Sequence, residues 1–419
     1  MTPLRSASGP AKPVPRRLLG RGPMPLPAKM AAPPKVRRWT WRSQAFRGVV
    51  YQLVAVIVLV AAAAYLWGNT LANMRSRGIQ SGFDFISQPA GFAIGETIVP
   101  FDAAESYGKA YLVGLGNTLR VALVGIVAAT VLGTLIGIGR LSRNLLVRSL
   151  CGAYVESTRN VPLLLQLFMW YFALTEFLPP IEEALRPLPG VFFSKNGLQF
   201  ALPLWEPGHW GTLAGLLAGV AFGVVWQRVA KARFEATGRP LPVLLPALVL
   251  LVVGAGFGRL AGGAPAGLDI PEKTEINVVG GGAVTPEYLT VLLGLTIYTA
   301  GYIAEVVRSG IQSVAYGQLE AAASLGLSRG LSLRLVQLPQ ALRVIIPPLT
   351  SQYLNLTKNS SLAVAVGYPD LVSIAATSLN QTGRAIECIA LVMACYLTLS
   401  LLTSALMNLY NRRARLKDR

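Results

Sequence analysis

Gly317-Gln318-Leu319-Glu320-Ala321-Ala322-Ala323-Ser324-Leu325-Gly326-Leu327-Ser328-Arg329-Gly330, running on to Val336-Gln337-Leu338-Pro339, is the one sizeable hydrophilic module between two apolar runs on the basic side of the chain. Its residues predict two short helices joined at a turn. Glu320 to Leu325 is strong helix-forming sequence. Gly326 suits a helix end, because glycine enters the left-handed conformation without a side-chain penalty. Ser328 is placed to cap a second short helix toward Leu335. The small alanines beside Glu320 leave a narrow helix that can enter a groove on another protein. The plainer reading is an ordinary helix–turn–helix connection, and Glu-Ala-Ala by itself does not separate the two.

Around this stretch the composition is that of a membrane protein. The chain has 419 residues, 53% hydrophobic and 14% charged, with mean hydropathy +0.50. Soluble domains carry about 25% charged residues, so an all-α polytopic membrane protein is expected. The net charge of +19 could suit nucleic acid. The basic residues, however, sit in the tails and in loops between apolar runs, which is the positive-inside pattern. Arginines are not interleaved with aromatics on one surface as base stacking requires, so no nucleic-acid partner is expected. Cys151, Cys388 and Cys395 show no metal or redox spacing and read as small apolar residues. His209 sits at the edge of a span and reads as an interface residue. No phosphate-binding G-x-x-x-x-G-K-[ST] loop occurs; Gly108-Lys109-Ala110 lacks both hydroxyl and loop. Any ATP-driven work would need another polypeptide, and no cofactor or metal is implied.

In chain order, residues 1–46 are rich in Pro, Arg and Lys without an acidic residue, and read as a disordered cytoplasmic tail. Eight spans follow: about 49–67, 111–138, a third ending near Phe177, 210–226, 241–260, 288–307, a seventh opened by Pro347-Pro348 and reaching Val366, and 385–409. Residues 69–109, 179–209 and 367–387 read as outer loops. Arg140, Arg143 and Arg148, then Arg228, Lys231, Arg233 and Arg239, mark the basic side. Both termini are then cytoplasmic, and the parity places Glu320 in the cytoplasm. Trp39, Trp41, Trp210, Trp226 and Tyr410 read as anchors at the bilayer interface.

Glu320-Ala321-Ala322, then Gly326, then Val336-Gln337-Leu338-Pro339 resembles the EAA loop of ABC importer permeases, with Val336 where the family has Ile. The resemblance implies a short cytoplasmic coupling helix that docks into a groove on an ATP-binding subunit, with Glu320, Ala321, Ala322, Gly326, Leu338 and Pro339 as coupling residues. Other segments look like permeases of polar amino-acid ABC importers: Gly116-Asn117-Thr118-Leu119, Glu156 to Leu164, Leu293 to Glu305, and Pro339 to Asp370. The implied layout has 47–110 as an extra span with an outer loop and 111–178 as the first part of a five-helix core. An insertion with two spans fills 179–285, and the rest of the core fills 286–410 with its coupling loop at 312–339. A cytoplasmic tail, 411–419, ends the chain. The long first outer loop resembles the Q-type permease of general L-amino-acid importers in Gram-negative bacteria. That implies an inner-membrane location, a second permease as heterodimer partner, ATPase subunits and a periplasmic amino-acid-binding protein.

Ser351, Asn355 and Lys358, with Asn359 beside them, are the pathway candidates. Their spacing of four and three puts the first three on one helical face. With the span opening at the prolines and ~1.5 Å per residue, Lys358 is expected near mid-membrane. It would face substrate, meet a protein carboxylate, or bond to helix carbonyls. Glu156 with Arg159, and Glu305 with Arg308, are spaced three apart and read as local ion pairs or as gate contacts with a paired subunit. The expected activity is alternating access as an importer subunit, without covalent chemistry in this chain. An ion-coupled secondary transporter is the alternative; it would favour internal repeats and broken helices near the midplane, and no repeat is evident. One histidine and no nucleophile–base set speak against an enzyme.

Overall fold

The computed structural model describes residues 41–414 apart from 42, 77, 79, 80, 239, 240, 265, 275 and 276. Most of the basic tail and residues 415–419 lie outside the described residues. The chain divides into two units, 1–76 and 77–419. In the first, helix α1 (Gln44–Ser76) has 33 residues, about 50 Å at 1.5 Å per residue, which exceeds a ~30 Å hydrocarbon core.

The second unit is built on α2 (Tyr107–Gly139), α3 (Leu145–Asn160), α4 (Leu163–Glu176), α5 (His209–Thr237), α6 (Leu244–Ala261) and α7 (Pro286–Gln312). The chain goes on through α8 (Tyr316–Ser324), α9 (Arg329–Ser332), α10 (Leu338–Asn359), α11 (Leu371–Thr382) and α12 (Ala385–Ala414). Helix α7 is the axis of the bundle: 61% of its most apolar stretch is buried, against 33% for α2 and 11% for α12. Val121 and Ala129 of α2, Leu167 of α4, Val291, Leu295 and Ile303 of α7, and Ile345 and Leu356 of α10 form one core. Gly133 and Gly137 let α2 lie against α7. A Cβ on them would stand 2.8 Å from the Ala300 carbonyl oxygen and 2.7 Å from that of Ala304.

The expectation of eight spans is met only in part. Among the described residues, six helices are long and apolar enough to cross a bilayer, or seven if the bent run from Arg329 to Thr382 is one crossing. The expected third span is broken: α3 stops at Asn160, Pro162 precedes α4, and α4 has 14 residues, about 21 Å. Pro347 and Pro348 do not open a span. They sit inside α10, which starts at Leu338 and is entered from α9 through a π-helical turn, Leu333–Gln337. A proline removes one backbone bond, to the carbonyl four residues back, and α10 continues through both.

The expected outer loop at 179–209 and the connection after α6 contain ordered structure. Residues 179–203 and 267–284 form short antiparallel strands: β1 (Leu185–Leu188), β2 (Val191–Ser194), β3 (Gly197–Phe200), β4 (Leu202–Pro203), β5 (Leu268–Asp269), β6 (Glu272–Lys273), β7 (Val278–Val279) and β8 (Gly282–Val284). Strand β3 pairs with both β2 and β8, so the strands on either side of the α5–α6 hairpin meet. Strand β8 leads straight into Thr285, whose side chain caps α7 by accepting from Tyr288 N–H. An inserted hairpin therefore leaves the bundle closed. Helices α5 and α6 are zipped by glycine: a Cβ on Gly211, Gly215 or Gly219 would meet a backbone oxygen of α6 within 2.7 Å. Small residues at this spacing let membrane helices approach backbone to backbone.

Candidate functional site

The hydrophilic stretch folds as its residues predict. Helix α8 carries Glu320, Ala321 and Ala322 and ends in a left-handed Gly326, φ +72°. Gly326 N–H donates to Ala323 and Leu327 N–H to Ala322, which satisfies carbonyls that a helix end leaves open. Ser328 caps α9 by accepting from Leu331 N–H. Of α8, only Ala322 is buried. Glu320 is exposed, and Tyr316 and Leu325 at the two ends are 74% and 80% exposed. Beside them Leu331, Leu333 and Leu335 are 47–59% exposed.

Leu338 and Pro339 stand at the start of α10. There the π-helical turn passes into α10: Leu338 N–H donates back to the Leu333 carbonyl, and Pro339 has no N–H to give. From Arg329 to Asn359 the chain is helical without a gap, about 45 Å. The far end of this rod carries the pathway candidates. Ser351, Asn355 and Lys358 are all exposed, whereas Ile345, Ile346, Leu356 and Thr357 face the core. Tyr353 holds the rod to α2 through a 2.9 Å bond between its hydroxyl and that of Thr130. Because α10 begins nine residues before Pro347, Lys358 lies in the last turn of the helix. Among the described residues its ammonium makes neither an ion pair nor a hydrogen bond. The reading in which it bonds helix carbonyls is therefore not what the structure contains. Asn359, half-buried, ends the helix.

At the end of the bundle from which α8 leaves, the expected pair Glu305–Arg308 is formed. Sequence reasoning missed that Arg140, at the end of α2, joins the same carboxylate. The expected pair Glu156–Arg159 is not formed. The Arg159 guanidinium lies over the Tyr302 ring instead, 5.1 Å from its centroid, a cation–π contact.

At the opposite end, the segment before α2 proves to be an integral cap. Glu96 is buried and receives Arg120 and the Thr285 hydroxyl, and Arg120 lies 4.2 Å from the centroid of the Tyr288 ring. Asn117 donates to the Glu96 and Pro369 carbonyls at 2.8 and 2.9 Å. Thr118 accepts from Leu371 N–H at 3.1 Å. The Gly-Asn-Thr-Leu motif thus ties α2 to the turn before α11. Phe85, Tyr107, Tyr111, Leu371, Ile374 and Cys388 form an apolar cluster beneath this cap. Buried Arg384 grips Asp84 and the Gly82 carbonyl, and its hydrogen bond holds the Asp84 carboxyl below the ordinary carboxylate range. His209 bonds Glu206 and stacks on Trp205 at the start of α5. No group of three or more metal-ligating side chains occurs among the described residues.

A bundle of bilayer-length helices with an uncovered helix at one end, joined by a rod to a polar face, defines a multi-pass membrane transport subunit. Residues 211–416 match the family described as binding-protein-dependent transport system inner membrane component. The match begins inside α5, so it takes in the hairpin assigned above to an insertion. The chain is 42% identical to the general L-amino acid transport system permease protein AapQ of Rhizobium johnstonii over 385 residues, 91% of this chain and 96% of that protein. It is 43% identical to the putative amino-acid ABC transporter permease protein YhdX of Escherichia coli (strain K12) over 390 residues, 93% and 96% of the two chains. It is 39% identical over 406 residues, 89% and 95%, to the glutamate/glutamine/aspartate/asparagine transport system permease protein BztB of Rhodobacter capsulatus. The chain belongs to this family and is an ABC importer permease, which leaves the ion-coupled alternative without support.

Proposed function

We propose that this chain is one of two membrane subunits of an ATP-driven importer of L-amino acids, and that α8 is where a separate ATPase pushes. The observation that carries the reading is mechanical. Helix α8 is open at Tyr316 and Leu325, and the α9–α10 rod beyond it ends at exposed Ser351, Asn355 and Lys358. An ATPase seated on Glu320, Ala321, Ala322 and Gly326 moves the rod at Leu338 and Pro339. The polar face at its far end then changes sides between a binding protein outside and the cytoplasm inside. A lysine is costly against lipid, so this face belongs to the substrate path or to the seam with the second permease. Lys358 offers the amino-acid carboxylate an ammonium. ATP hydrolysis stays in the other subunit, and this chain does no covalent chemistry.

Both termini lie in the cytoplasm in this reading, and the five-helix core comprises α2, the α3–α4 region, α7, α10–α11 and α12. The relatives named for amino-acid transport support the substrate class. Co-purification is the test. The complex should contain an ATPase, a second permease and, on addition, a binding protein, and its uptake of an L-amino acid should require ATP. Uptake by a preparation without ATPase refutes the reading. Normal assembly and unchanged uptake in Lys358→Met removes the lysine from the path.

A further inference from the structure

We propose a second amino-acid site at the end of the bundle from which α8 leaves, one that reads the zwitterion and slows transport when product accumulates. The inference rests on the amino-acid reading above. A cavity of about 350 Å³ lies there between α2, α3 and α7, lined by Val155 and by Arg140, Glu156, Arg159, Asn160, Tyr302 and Glu305. That is the low end of the size range for small-molecule sites, and all but Val155 of the lining side chains are polar.

The charges sort into two sets. Arg140 and Glu305 bind each other, and Arg308 completes the Glu305 carboxylate. Glu156 and Arg159 remain, one turn apart on α3, both exposed and not bonded to each other. Tyr302 fixes the Arg159 plane by stacking, and the Tyr298 hydroxyl holds the Tyr302 hydroxyl at 3.1 Å. Two opposite charges held on one cavity wall without touching match a ligand that carries both signs on neighbouring atoms. Arginine presents a planar fork to a carboxylate, Glu156 accepts from an ammonium, and Asn160 has an amide to give either. An α-amino acid fits this pattern, and its side chain is left to the open mouth.

The consequence for transport follows from what the site joins. Its walls are α3 and α7, and α8 starts at Tyr316, close after the end of α7 at Gln312. A ligand bonded to Glu156, Arg159 and Asn160 of α3 fills a gap whose other wall is Tyr302 and Glu305 of α7, so occupancy favours the conformer in which that gap is closed; a ligand shifts an equilibrium only through such a difference. A phosphatidylethanolamine headgroup carries the same anion–ammonium pair, so the test separates the two sources.

The complete complex is sealed into vesicles with ATP inside, so that only complexes with α8 facing the lumen work. Uptake of labelled L-alanine is compared with and without 10 mM unlabelled L-alanine in the lumen, roughly the concentration at which a weak site fills. Lumenal alanine should slow uptake about fivefold or more. N-Acetyl-L-alanine, without the ammonium, and L-alaninamide, without the carboxylate, should not. The ratio of loaded to unloaded rates should return to unity in Arg159→Gln and Glu156→Gln, whatever each variant's own rate. Equal slowing by all three compounds overturns the proposal, as does slowing that survives in both variants. The three-compound comparison needs no variant to assemble. Native mass spectrometry that finds phosphatidylethanolamine kept by the wild type and lost by both variants, with uptake indifferent to lumenal alanine, assigns the cavity to lipid instead. ATP-driven uptake indifferent to lumenal alanine sinks this site alone, whereas uptake that needs no ATP sinks the importer reading.

Discussion

Gly326 offers the cleanest test of the coupling segment, because its environment isolates one energy. Its φ is +72°, and a Cβ built on it meets nothing within 4 Å. A substitution there changes backbone conformational energy without creating a clash inside this chain. Alanine costs about 1 kcal/mol in the left-handed region, and β-branched valine about 2 kcal/mol or more. Asparagine visits that region readily and costs a few tenths. If α8 must end where it does to dock, these costs appear as weaker ATPase binding: about fivefold for Gly326→Ala and about thirtyfold for Gly326→Val. Gly326→Asn should lie near wild type. Titrating the ATPase subunit onto the permease pair in nanodiscs measures the affinities, and ATP hydrolysed per amino acid imported measures coupling. Asparagine and valine are similar in size, so asparagine as damaging as valine would mean a steric effect in the docked complex. That outcome, or three neutral variants, refutes the argument from φ.

Glu96→Ala strands a partly buried Arg120 and should destabilise by roughly 3 kcal/mol; the Glu96→Ala/Arg120→Ala double variant should fall short of additivity by at least about 1 kcal/mol, read by denaturation in detergent. Gly215→Val would place a Cβ 2.1 Å from the Gly254 carbonyl oxygen, while Gly223 has only Ala247 at 3.7 Å. The first should therefore lower the melting temperature by several degrees for a cost of about 3 kcal/mol and Gly223→Ala should leave it unchanged. Arg384 depresses the Asp84 carboxyl in the folded protein. Its stabilisation is thus complete above the unfolded value near 4 and lost as pH falls through the lower folded value; the melting-temperature gap between wild type and Asp84→Asn should be constant from pH 7 to 5 and close below about pH 4.

What the residues determined alone is local or compositional. Apolar runs long enough for a bilayer, with arginines at alternate ends, specify a polytopic helical protein without any knowledge of packing. The end of α8 is equally local: only glycine takes φ +72° freely, and Ser328 caps α9 by accepting from the N–H three residues on. The spacing from Glu320 to Pro339 carried the family by resemblance, and the relatives bear it out.

The rest needed the fold, because it depends on partners far away in the chain. Pro347 and Pro348 look like a helix start, yet α10 begins at Leu338 and continues through them, which puts Lys358 in its last turn. Glu96 looks like a solvated loop acid until Arg120 and Thr285, 24 and 189 residues away, are seen around it. Glu156 and Arg159 have ion-pair spacing, but Tyr302 of another helix offers the guanidinium a competing surface. Spacing along a helix says which side chains are able to meet. Which of them do meet is settled by what the neighbouring helices bring to the same place.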